Sequence, residues 1–163
     1  MGTLSIDSLD PVWDPLIRTI AAMVTLASEF VVVQVHGDDG PHGGPYVQTL
    51  LEDDGYTTLE AASNSFLDVA LSEDAIEHLI DMGWQCPEPD SGLPNFFCLV
   101  GPDLTPKEIA VFLVKTLTEV YGVSPRDEFE FAPLDLFGEV INGEFGPPTG
   151  MIFAQNDTDP RGI

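Results

Sequence analysis

Two apolar runs that face each other across Asp54-Gly55 constrain this chain more than any other feature. Tyr46–Leu51 (YVQTLL) and Thr57–Ala62 (TTLEAA) flank Glu52-Asp53-Asp54-Gly55-Tyr56. Glycine supplies the positive φ that a tight hairpin turn demands, so runs bounded this way are expected to pair antiparallel. Gln48 and Glu60 alternate with apolar neighbours, which assigns them to the less buried face. The preceding run, Phe30–Val35 (FVVVQV), is mostly β-branched and suits a strand buried on both faces. The three runs together predict an antiparallel meander.

The segment between the first two strands, HGDDGPHGGP, is dense in glycine and proline and reads as a turn. His36, Asp38, Asp39 and His42 are metal-competent types, but their spacing matches no ligand motif, and a solvated loop is the expectation there.

Helical periodicity accounts for much of the remainder. Asp10-Pro11 opens a helix whose stripe is Trp13, Leu16, Ile17, Ile20, Val24 and Ala27. Asn64 is expected to cap a short helix over 65–70, with Phe66, Leu67 and Val69 turned inward. Ser72-Glu73-Asp74 begins the next helix, with Ile76, Leu79 and Ile80 as its stripe and Gly83 as its stop. Trp84 should then fold back onto the core. A proline-rich loop leads to a fourth strand, Phe96–Val100. Thr105-Pro106-Lys107-Glu108 is a capping box with proline at the first helical position, and it predicts a helix running to Gly122. Beyond Pro125 the pattern weakens. Glu128–Phe131 alternates like an edge strand, 133–141 suits a short helix, Met151-Ile152-Phe153 is a small apolar patch, and the polar tail from Asn156 is expected to be mobile.

The fold class expected is therefore α+β, a mostly antiparallel sheet (a three-strand meander plus a later strand) covered by helices. The division expected is a domain over 1–122 followed by a C-terminal extension over 123–163. A chain of 163 residues is long enough to bury a sizeable core.

Charge narrows the function classes. The chain carries 28 acidic and 5 basic residues, a net charge of −23. Nucleic-acid backbones and anionic membranes would repel such a surface, so neither is an expected partner. The acidity reads as a solvated shell, as adaptation to high salt, or as a field for a basic partner, nucleic-acid mimicry included. The acids are spread along the chain, which favours the first two. Cys86 and Cys98 are too few for a disulfide framework; two free thiols are the default and a single bridge the alternative. The N-terminal residues do not resemble a secretory signal and no apolar run reaches bilayer length, so a cytoplasmic location is expected. The sequence has no nucleophile elbow, phosphate-cradling glycine loop or paired zinc-ligand motif, so neither catalysis nor a cofactor is expected.

Tyr46-Val47-Gln48, Glu60-Ala61-Ala62-Ser63-Asn64, the helix ending at Gly83-Trp84, and Pro94-Asn95-Phe96 together resemble the TY-Chap domain, a group related to type III secretion chaperones and YbjN-like proteins. The resemblance spans roughly residues 12–122. It implies a type III secretion chaperone-like fold and a non-enzymatic, peptide-binding role, chaperone or adaptor, often as a homodimer, with a client protein as partner. Contacts would then fall on Tyr46, Gln48 and Glu60 of the sheet and on Trp84, Asn95 and Phe96 beside it. Each also has a purely structural place: Tyr46, Trp84 and Phe96 as core, Asn95 bonded to loop backbone, Gln48 and Glu60 on a solvated face. An acidic regulator or nucleic-acid mimic that blocks a basic partner is the alternative function.

Overall fold

The computed structural model describes residues 9–35, 44–142 and 152–153. Its strands are β1 (Phe30–Val35), β2 (Tyr46–Leu51), β3 (Thr57–Ala61), β4 (Phe96–Val100), β5 (Glu128–Ala132) and β6 (Ile152–Phe153). Its helices are α1 (Asp14–Leu26), α2 (Glu73–Met82), α3 (Pro106–Glu119) and α4 (Leu134–Asn142), with a single 3-10 turn, Pro11–Trp13, leading into α1. One sheet holds all six strands in the order β4-β3-β2-β1-β5-β6, antiparallel except for the β5–β6 pair. The hairpin at Asp54-Gly55 forms as its residues require: Gly55 has φ 87°, and the Asp54 carboxylate accepts from the Tyr56 N–H at 3.0 Å.

Side-chain alternation gives the sheet two unlike faces. Val31, Val33, Val47, Leu59, Phe129 and Phe131 are buried against the helical layer. On the other face Val32, Gln34, Gln48 and Glu60 are only half-buried. The first strand is thus sealed on one face, not the two that its β-branched run suggested. Gln34 is the one polar residue on that face of the run, and a single polar position among β-branched residues does not show by itself that the face is left open.

α1 lies along α3, and α4 packs on α1. The α3 cap is built as its sequence dictates: the Thr105 hydroxyl accepts from the Glu108 N–H at 3.1 Å, and the Glu108 carboxylate accepts from the Thr105 N–H at 2.9 Å. Gly83 ends α2 with φ 121°. Trp84 then turns under α3, with its indole N–H donating to the Thr116 hydroxyl at 3.0 Å and its ring stacked on Phe112 at 5.1 Å.

The structure departs from the sequence expectation at two further places. Residues 65–70 do not form a helix; only a 3-10 turn, Asn64–Phe66, is present, and Val69 is 82% exposed. Asn64 is the cause, because its side-chain oxygen accepts from the Leu71 N–H at 2.7 Å and closes a loop instead of capping a helix. On α2 the buried residues are Leu79 and Met82, while Ile80 stands exposed. Beyond Gly122, β5 joins β1 and Phe137 of α4 stacks on Phe131 at 4.6 Å, so the described part of this segment continues the same sheet and core. The expected mobile tail from Asn156 lies outside the described residues.

At the α2–α3 junction the Glu119 carboxylate meets His78 Nε2 at 2.8 Å and the buried Lys115 ammonium at 3.4 Å. His78 thus has a specific partner on the neighbouring helix. Burial pushes the Glu119 carboxyl up, but the His78 hydrogen bond and the Lys115 charge outweigh it and hold the group below its ordinary value. A carboxyl with a lowered folded-state pKa stabilises the fold above its unfolded pKa and loses that contribution as pH falls through the folded value. Glu119→Gln should therefore be less stable than the parent near neutrality, and the two should converge as pH drops below about 4. Urea unfolding at a series of pH values checks this.

The open sheet face and the groove beside it

Four polar side chains meet on the open face where β2, β3 and the approach to β4 converge. Strand register places Gln48 directly opposite Glu60, and the Gln48 amide donates to Glu60 Oε1 at 3.0 Å. Asn95, just before β4, is the hub. Its Nδ2 donates to the same Glu60 oxygen at 2.9 Å, while its Oδ1 accepts from the Tyr46 hydroxyl at 3.2 Å and from the Ser63 N–H at 3.3 Å. Asn95 is 5% exposed, so the network is anchored from below. Burial raises the Tyr46 phenol above its ordinary value and Glu60 adds to this, against the opposing Asn95 hydrogen bond. Tyr46 also meets Phe66 edge-on at 6.5 Å.

The structure therefore brings together four of the six residues singled out in the sequence: Tyr46, Gln48, Glu60 and Asn95. Trp84 is only 2% exposed, in the core against α3. Phe96 is also buried, at 3% exposure, but it lines a groove of about 330 Å³ formed by Ser63, Asn64, Ser65, Ile76, Cys86, Pro87, Pro89 and Pro94. Sequence reasoning passed over this groove. The one available signal was the density of proline between Cys86 and Pro94, which holds apolar rings at a surface with few backbone donors.

The sheet edge beside this site is partly closed. Gln85 forms a two-bond bridge to Phe97: its N–H donates to the Phe97 carbonyl at 2.8 Å and its carbonyl accepts the Phe97 N–H at 3.1 Å. Two residues along the same edge, Leu99 is 50% exposed. Backbone alternation gives it the same outward direction for its N–H and C=O.

Cys86 is exposed and Cys98 buried, both as free thiols. Burial pushes the Cys98 thiol up to about 12, which leaves it inert at neutral pH. Among the described residues no group of three His, Cys, Asp or Glu side chains is placed to hold a metal ion. His36, Asp38, Asp39 and His42 lie outside those residues. No helix among the described residues is long and apolar enough to cross a membrane.

The domain is thus an α+β sheet with helices on one face and a clustered Tyr-Gln-Glu-Asn network on the other. The profile of TY-Chap3, described as the T3SS (YopN, CesT) and YbjN peptide-binding chaperone 3 family, matches residues 7–131. The chain belongs to this family. The TY-Chap3 match reaches into β5, so it takes in the five antiparallel strands and α1 to α3. It carries the role of a peptide-binding chaperone at the level of the family. No curated protein and no solved structure matches the chain.

Proposed function

We propose that this protein is a non-enzymatic binder of polypeptide segments, a chaperone or adaptor, and that the client lies across the open sheet face. The single observation that carries this reading is the unlike pair of sheet faces. One is sealed by helices; the other presents the Tyr46–Asn95–Glu60–Gln48 network, with the exposed Leu99 edge beside it. An extended segment pairs with backbone at an edge and is sorted by the side chains next to it. The acid excess favours basic clients and makes affinity fall as salt rises. A cytoplasmic location and a homodimer belong to the same reading.

The test is an array of unstructured peptides of graded charge, titrated against the protein at low and moderate salt. Basic, partly apolar peptides should bind, more weakly at higher salt. Leu99→Asp alters an exposed side chain outside the core, so it should leave the unfolding midpoint unchanged while weakening binding by about tenfold, the equivalent of roughly 1.4 kcal/mol. An array with no bound peptide, or a Leu99→Asp protein with parental affinities, would count against the reading.

A further inference from the structure

The groove formed by Ser63, Ile76, Cys86, Pro89, Pro94 and Phe96 contains one polar group left over by the described residues. Ser63 is 5% exposed, and its Oγ is a buried side-chain oxygen with no hydrogen-bond partner among the described residues. A buried hydroxyl left unpaired is destabilising, so such groups are rare unless something else satisfies them. Its backbone N–H, by contrast, is held by Asn95, which makes the groove floor continuous with the polar network on the open face.

Groove and surroundings differ sharply in polarity. The walls are proline rings, Ile76 and Phe96. Close in sequence to these lining residues, Glu73, Asp74 and Glu77 on α2 and Glu88 and Asp90 in the loop are all exposed. The sequence has no lysine or arginine from residue 19 to residue 106, so no cation of those types within this stretch offsets these acids. An apolar slot whose neighbouring exposed charges share one sign selects an apolar group flanked by the opposite sign.

We infer that this groove is the anchor pocket for one apolar side chain, of leucine or methionine size, in a client segment that carries lysine or arginine on either side of it. Ser63 Oγ then takes a backbone group of the client next to the anchor; rotation about one bond is all that a serine hydroxyl needs to change partners. The inference rests on the polypeptide-binding reading and specifies where and how the client is held. It also places Cys86 under the bound segment.

That position gives a direct measurement, because Cys98 is inert and Cys86 reports alone. A synthetic Lys-Lys-Leu-Lys-Lys core between Gly-Ser spacers is titrated while Cys86 is modified by a chromogenic disulfide reagent. Binding should slow the modification at least tenfold at saturation. The same peptide with aspartate for leucine should bind about tenfold more weakly or worse. Ser63→Ala should keep or raise the unfolding midpoint, since the unpaired hydroxyl is gone, yet weaken the leucine peptide several-fold. Peptide bound with Cys86 unprotected would overturn the anchor pocket and leave the polypeptide-binding reading standing. So would equal affinity for the aspartate peptide, or a silent Ser63→Ala. Failure of both this peptide and the full array to bind would overturn both.

Discussion

Trp84→Ala is expected to destabilise the protein by about 3–5 kcal/mol, the range for truncating a large aromatic in a packed core. Three losses combine at this site. The ring is 2% exposed, so its whole apolar surface returns to water and leaves a cavity under α3. The stack on Phe112 disappears. The Thr116 hydroxyl loses the indole N–H, although it still donates to the Phe112 carbonyl at 2.9 Å. Trp84→Phe keeps an aromatic ring in the site and should cost less, about 1–2 kcal/mol. Urea unfolding monitored by far-UV circular dichroism separates the two variants. Equal stability of the alanine variant and the parent would mean that Trp84 is not the wedge between α2 and α3 that the packing indicates.

Asn95→Asp should be the most damaging near-isosteric change on the open face, at about 2–3 kcal/mol near neutral pH. The variant loses the Nδ2 donor that reaches Glu60 at 2.9 Å and sets a second carboxylate in its place. Two like charges at that separation favour shared protonation, which raises the folded-state pKa of the pair above its unfolded value. A raised folded-state pKa stabilises the fold below the unfolded value and is lost as pH rises, so the deficit should be largest at neutrality and shrink on acidification. Unfolding midpoints of parent and variant across the acid range test the sign. A deficit independent of pH would place Asn95 and Glu60 further apart in solution than the hydrogen bond implies.

The parts of the fold that were legible in the sequence are those whose determinants are local. The Thr105–Glu108 box, the Asp54-Gly55 turn and the Gly83 stop each depend on a few adjacent residues, and each forms. The segment after Asn64 was misread because the same residue can cap a helix or bond a more distant amide, and only the tertiary path to Leu71 decides between them. Ile80 was assigned inward because a stripe over three residues does not fix the helix rotation, which Met82 and Trp84 set from below. The polar face follows the same rule. Alternation pointed Gln48 and Glu60 outward, but Asn95 as the shared hub depends on the order of strands, which periodicity does not encode. The orphan Ser63 hydroxyl had no sequence signature at all.

The Gln85 clip on β4 has a consequence for how this chain survives at high concentration. An exposed strand edge is a template for runaway self-association, since each added strand presents a fresh edge to the next. Here the template is interrupted: Phe97 is already paired with Gln85, and beyond Leu99 the strand ends at Val100 with Gly101-Pro102 following. A short length of backbone remains on that side, too little for a second sheet to dock in register, so this edge is a poor template for fibrils of the chain's own.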